Sequence, residues 1–145
     1  MTDIKIVNKS KNPMPSYATQ GSAGMDIKAN LNNDLLLPPN IPMTVPTGLY
    51  MEIPEGHEAQ IRPRSGLASK HGVTVCNSPG TIDADFRGEV KVILINLSKE
   101  DFVIHHGDRI AQMVISKYEK AYITEADELS ITDRGECGFG SSGIK

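Results

Sequence analysis

The chain has 145 residues, a net charge of −3 and a pI near 5.8. This length suits one domain able to bury about two-thirds of its unfolded surface, and no basic block stands out to grip duplex nucleic acid. No apolar run is long enough to span a membrane and no signal peptide opens the chain, while Cys76 and Cys137 lie far apart and form no CxxC pair, so reduced thiols and a cytoplasmic location are expected.

Period-two alternation, punctuated by proline and glycine, runs along the chain. The opening MTDIKIVNKS alternates apolar and polar residues and reads as a first strand. SAGMDIKA, Ser22 to Ala29, sets Asp26 between Met25 and Ile27, either as a plain edge-strand acid or as a carboxylate near a metal. Leu49, Met51 and Ile53 point one way, with Tyr50 and Glu52 between them. RPRSGLA, Arg62 to Ala68, puts two arginines and a serine ahead of a glycine that opens a short helix; only Gly66 to His71 reads as helical. Arginine forks suit phosphate oxygens, but they equally suit surface salt bridges.

The most informative stretch is NSPGTIDADFRGEV, Asn77 to Val90. Two turn glycines, Gly80 and Gly88, bracket a strand-like T-I-D-A-D-F, so Asp83 and Asp85 share one face and Phe86 takes the other. The stretch is either a solvated hairpin or a general base, Asp83, held where backbone groups read a small planar ligand. Val90, Val92 and Leu94 then alternate with Lys91, Ile93 and Ile95. His105 and His106 are neighbours, so on a strand they diverge and do not share a metal. GDRIAQMV, Gly107 to Val114, leads a turn into an apolar strand whose one polar residue, Gln112, either faces solvent or donates its amide to a phosphate. Short strands broken by turn signals such as Pro38-Pro39, Pro54-Glu55-Gly56, Pro79-Gly80 and His106-Gly107-Asp108 predict an all-β sandwich or barrel.

Ser116 to Asp133 differs: it is acidic and lacks glycine and proline. Fully extended, it reaches about 60 Å, more than the width of such a domain, so the residues beyond Asp133 can reach a neighbouring chain. The last residues, GECGFGSSGIK, contain G-F-G-S-S-G, a literal G-x-G-x-x-G. A dinucleotide turn must open a helix, and only Ile144 and Lys145 remain. The alternatives are a Gly/Ser tail or a mobile arm that brings one ring, Phe139, and free backbone N–H groups to a phosphate-bearing base.

SAGMDI, RPRSGLA, GTIDADFRGE, GDRIAQ and RGECGFGSSG, in this order, resemble the five motifs of the trimeric dUTP pyrophosphatase (dUTPase) family, from residue 22 to residue 143. The resemblance implies an all-β, distorted jelly-roll (β-clip) barrel over residues 1–133 and a mobile glycine-rich arm over 134–145, exchanged within a homotrimer. It implies Mg²⁺-dependent hydrolysis of dUTP to dUMP and pyrophosphate, which keeps uracil out of DNA and supplies dUMP for dTMP synthesis. The partners implied are the small-molecule substrate and two further copies, with no nucleic acid or membrane.

Carried over by motif, Asp83 is the general base that activates water against the α-phosphorus. Asp26 touches the metal through water. Arg64, Ser65, Gly66 and Gln112 hold phosphate oxygens. Backbone groups of Gly80, Thr81 and Ile82, assisted by Asn77, pair with the uracil edge, and Phe86 lies under the sugar where it leaves no space for a 2′-hydroxyl. Arg134 binds the γ-phosphate end, Phe139 stacks on the base, and Gly140, Ser141 and Ser142 complete the arm. One chain supplies Asp26, Arg64, Ser65 and Gln112, a second the hairpin and a third the arm. Three departures stand out: Phe86 where tyrosine is common, Cys137 where glycine is common, and Ser142 for threonine. A related deaminase that acts on dCTP needs a glutamate base five residues past the hairpin glycine, where this chain has Ile93. A nucleotide sensor that binds without turnover is the rival from another class; retention of Asp83 and the arm argues against it.

Overall fold

The computed structural model describes residues 2–138. Ten strands and one helix succeed one another: β1 (Lys5–Asn8), β2 (Met25–Lys28), β3 (Leu35–Leu37), β4 (Met43–Glu52), β5 (His57–Arg62), α1 (Ser65–His71), β6 (Val73–Val75), β7 (Gly80–Ile82), β8 (Val90–Asn96), β9 (Phe102–Ile104) and β10 (Arg109–Lys117). They form two four-stranded sheets, β1-β4-β8-β6 and β2-β10-β5-β7, and a small β3-β9 pair, with antiparallel pairing throughout.

Alternation along the strands builds the core. Leu49, Met51 and Ile53 are buried, as are Val90, Val92 and Leu94, and from the other sheet Ile27, Ile61 and Met113 join them. In β4 the ladder to β8 passes from Pro46↔Lys91 to Leu49↔Val90, so Thr47 and Gly48 are extra residues. Two extra residues preserve the period of two, and Val45, Leu49 and Met51 therefore stay on the buried face. Helix α1 ends where Gly72 takes φ +66, and the Gly72 N–H donates to Ala68 O, the left-handed stop that glycine adopts at least cost.

Three local expectations are corrected. The T-I-D-A-D-F stretch is not one strand: β7 ends at Ile82, and the chain turns through Ala84 and Asp85 with the Phe86 N–H donating to Asp83 O at 3.2 Å. Asp83 and Asp85 are thus turn residues and do not share a strand face. Gly80 is a strand residue, not a turn residue; a Cβ there would lie 3.3 Å from both Ile61 Cβ and Asn77 Nδ2, so the reason for glycine is close approach. His105 and His106 lie in the turn between β9 and β10. His105 pairs with Asp34, and His106 Nδ1 accepts from the Leu31 N–H.

From Glu119 to Cys137 every residue is exposed, including apolar Tyr122 (97%), Leu129 (91%) and Ile131 (100%). Among the described residues no helix is long and apolar enough to cross a membrane.

Candidate active site

The site residues fall into two groups within one chain. The first gathers where β2, β10 and the start of α1 meet. Gln112 on β10 is the register partner of Asp26 on β2 and of Arg62 on β5, so the pairing of three strands brings residues far apart in sequence to one spot. Asp26 accepts from Arg64 Nε at 2.9 Å on one carboxylate oxygen and from Arg109 Nη1 at 3.2 Å on the other. Arg64 Nη1 also donates to Arg109 O at 3.2 Å. Two guanidinium groups and one carboxylate leave this cluster with a net positive charge. Asp26 is one-third exposed, so the pairs are screened and organise geometry more than they stabilise the fold.

Gln112 does not face open solvent. Its Nε2 donates to Pro63 O at 3.0 Å, which turns the side chain toward the RPRS loop. Gly24 makes room for it, since a Cβ there would lie 2.6 Å from Gln112 Oε1. Ser65 and Gly66 begin α1 and are exposed. Arg64 is the N-cap residue in extended conformation and its side chain makes no capping bond, so among the described residues the first-turn N–H groups have no side-chain acceptor.

The second group is the hairpin from Asn77 to Gly88. β7 pairs with β5 and lies at the edge of its sheet, leaving half of its backbone donors and acceptors facing outward. Asn77 packs beside Gly80. Asp83 comes next and lines, with Ile53, Glu55, Asp85, Arg87 and Tyr118, a cleft of about 550 Å³. Its carboxylate is exposed and, among the described residues, accepts no hydrogen bond. The Phe86 ring rests against Gly88, where a Cβ would lie 2.6 Å from Phe86 Cζ. Arg87 Nη1 donates to Ala84 O at 2.6 Å and Phe86 O at 3.0 Å, bracing the turn from within.

Among the described residues no ion pair or side-chain hydrogen bond joins the two groups. Among the described residues no hydrogen bond or ion pair ties Arg134 to either group; its Nε donates to Cys137 O at 2.8 Å in an exposed turn whose Gly135 takes φ +51. Phe139, Gly140, Ser141 and Ser142 lie outside the described residues.

Arg109 is the residue that sequence reasoning passed over, although it stands inside the GDRIAQ stretch. The signal was its place three residues before Gln112 at the start of an otherwise apolar strand. Among the described residues no group of three or more His, Cys, Asp or Glu side chains is placed to hold a metal.

Comparison with known proteins covers the whole of this arrangement. The profile of the dUTPase family matches residues 10–143. A deoxyuridine 5′-triphosphate nucleotidohydrolase of Cytophaga hutchinsonii is 58% identical, over 98% of this chain and 92% of its own length. That of Finegoldia magna is 53% identical over 97% and 98%. The dUTPase of Staphylococcus bacteriophage 80alpha, solved with dUPNHPP, superposes with a TM-score of 0.88 at 27% identity, over 99% of this chain and 100% of its own. The chain belongs to the dUTPase family, whose jelly-roll fold it shares.

Proposed function

We infer that this dUTPase performs the hydrolysis of dUTP to dUMP and pyrophosphate at a site assembled from three copies of the chain, with Asp83 as the base. The observation that carries the reading is the edge strand β7, which ends at an exposed carboxylate, unpaired among the described residues, and presents outward-facing backbone groups beside it. A uracil edge offers alternating acceptors and a donor. An outward-facing strand backbone at Gly80 to Ile82 offers the complementary pattern, with the Asn77 amide adjacent. A cytosine edge puts a donor against a donor, and a buried mismatch of that kind costs about 1–3 kcal/mol.

Phosphoryl transfer asks for positioning and charge neutralisation more than covalent work. The Arg64 and Arg109 guanidiniums, the Ser65 hydroxyl and the first-turn N–H groups, with the Gln112 amide, suit the oxygens of a triphosphate. Asp83 takes a proton from the water that attacks the α-phosphorus in line, and pyrophosphate leaves. Phe86 lies under the sugar and excludes a 2′-hydroxyl.

Mg²⁺ would suit this residue set as an ion that arrives with the substrate, and it would supply charge neutralisation on the triphosphate. Both oxygens of Asp26 already accept from arginine, and each keeps a further lone pair for a metal-bound water. Asp26 would therefore reach such an ion through its waters, the guanidiniums on both oxygens leaving it poorly placed as a direct ligand.

The bare segment from Glu119 to Cys137 supports the three-chain arrangement. Tyr122, Ile123, Leu129 and Ile131 gain nothing from the barrel of their own chain, and burying such side chains is worth about 1.5–3 kcal/mol each. A neighbour's surface is their natural destination, and it carries Arg134 and the arm of residues 134–145 onto a third chain's site. The substrate is a free nucleotide in the cytoplasm, and nucleic acid and membrane are not partners.

The test is to incubate the protein with each deoxynucleoside triphosphate and Mg²⁺ and to monitor pyrophosphate. Release from dUTP alone is expected. Binding of dUTP without pyrophosphate makes the chain a sensor, and ammonia release from dCTP makes it a deaminase.

A further inference from the structure

The loop that carries Asp83 and Phe86 is a crossover between sheets: β7 lies in the β2-β10-β5-β7 sheet and β8 in the β1-β4-β8-β6 sheet. Such a loop has two anchors. One is the pairing of β7 with β5. The other is at residues 89 and 90, opposite the two extra residues of β4.

Extra residues in a ladder leave backbone amides without strand partners. Here a side chain fills the gap. The Gly48 N–H donates to Glu89 Oε1 at 2.9 Å, and Gly48 O accepts from the Lys9 N–H at 2.8 Å. The Thr47 hydroxyl donates to Val90 O, and the Leu49 N–H donates to Thr47 Oγ1 at 3.2 Å. Gly48 takes φ +71, and a Cβ there would lie 2.8 Å from Ser10 Cβ, so the irregularity is tightly enclosed. The Glu89 side chain is mostly buried, with Lys91 Nζ 3.7 Å from its other oxygen.

Glu89 directly succeeds Gly88, the glycine on which the Phe86 ring rests. Arg87 braces the turn internally, which leaves its two ends to set its orientation. We propose that Glu89 is a positioning residue for sugar selection: by holding the Gly48 amide it fixes the height of the Phe86 ring. The inference rests on the reading of Phe86 as the floor under the sugar. Glu89 itself touches no substrate.

The experiment compares kcat/KM for dUTP and for UTP, together with Tm, in the full chain and in Glu89→Asp, Glu89→Gln and Phe86→Ala variants. Aspartate keeps the charge but falls one methylene short of the Gly48 amide, so the preference for dUTP over UTP falls about tenfold or more, as small misplacements at a site do. Glutamine keeps an acceptor oxygen at full reach and retains most of the preference. Wild-type preference in Glu89→Asp, whatever its Tm, overturns the proposal. So does equal loss in Glu89→Gln, which would make charge and not reach the cause. If Phe86→Ala still rejects UTP, the reading of Phe86 fails. If Phe86→Ala loses selectivity and Glu89→Asp does not, the role of Glu89 alone fails.

Discussion

Replacing Asp83 by asparagine removes the proposed base and almost nothing else. The side chain sits in the turn past Ile82, exposed, and among the described residues its carboxylate accepts no hydrogen bond. Asn has the same shape, and a surface change away from packing or paired groups stays within about 0.5 kcal/mol in stability. Loss of rate in this variant is therefore a loss of chemistry. A positioned general base contributes about 10²–10⁴-fold, so turnover should fall at least about a hundredfold, or about 2.7 kcal/mol in the barrier. Binding of dUTP should persist, because the uracil edge is read by the backbone of β7 and the phosphates by the arginine cluster. The assay pairs steady-state pyrophosphate release with calorimetric titration of dUTP and a thermal melt. A variant that turns over within a few-fold of wild type removes Asp83 from the role. Lost binding together with lost rate would mean that Asp83 holds substrate instead.

Deleting Gly135 to Lys145 should leave the assembly folded, since among the described residues the last strand ends at Lys117, yet abolish most activity; a fully active truncated chain would make the arm dispensable. Asn96 is fully buried, with its amide donating to Leu37 O at 3.0 Å and Glu100 O at 2.7 Å while its oxygen accepts from the Ser98 N–H at 3.0 Å. Asn96→Ala orphans these groups and should cost about 3 kcal/mol in urea unfolding; a cost under about 1 kcal/mol would show that water replaces the side chain. His105 lies 2.8 Å from Asp34, and the hydrogen bond and charge of that carboxylate raise its pKa above the ordinary 6.5. A raised folded-state pKa gives stabilisation that is complete below about 6.5 and is lost as pH rises through the higher folded value. Asp34→Asn should therefore flatten the dependence of Tm on pH just above 6.5, and an unchanged profile would show that the pair is without effect.

Much of the fold was legible in the sequence, for identifiable reasons. Leu49, Met51 and Ile53, and Val90, Val92 and Leu94, alternate cleanly, and burial tracks the alternation because a strand's faces repeat every two residues. The short helix read at Gly66 to His71 is α1, which begins one residue earlier at Ser65. The hairpin was legible as a candidate site but not in shape. The residues after Ile82 cross between sheets, and a crossover carries no period for a pattern to reveal. Gly80 read as a turn because proline precedes it, whereas crowding by Ile61 on a different strand is what demands glycine. Asp26 read as an edge acid or a carboxylate near a metal; its two arginine partners stand 38 and 83 positions away, and only the strand register brings them in.

The central claim is that each site draws its base from one chain and its phosphate clamp from another. It is tested most directly by co-expressing Asp83→Asn chains with Arg64→Gln chains, each nearly inactive alone, and measuring pyrophosphate release from the purified mixed trimers. A trimer of either mixed composition holds one site in three where an intact Asp83 meets an intact Arg64 from a different chain, so about a third of wild-type activity should return. Mixed trimers that stay as inactive as either parent would contradict the shared site and return both groups to a single chain.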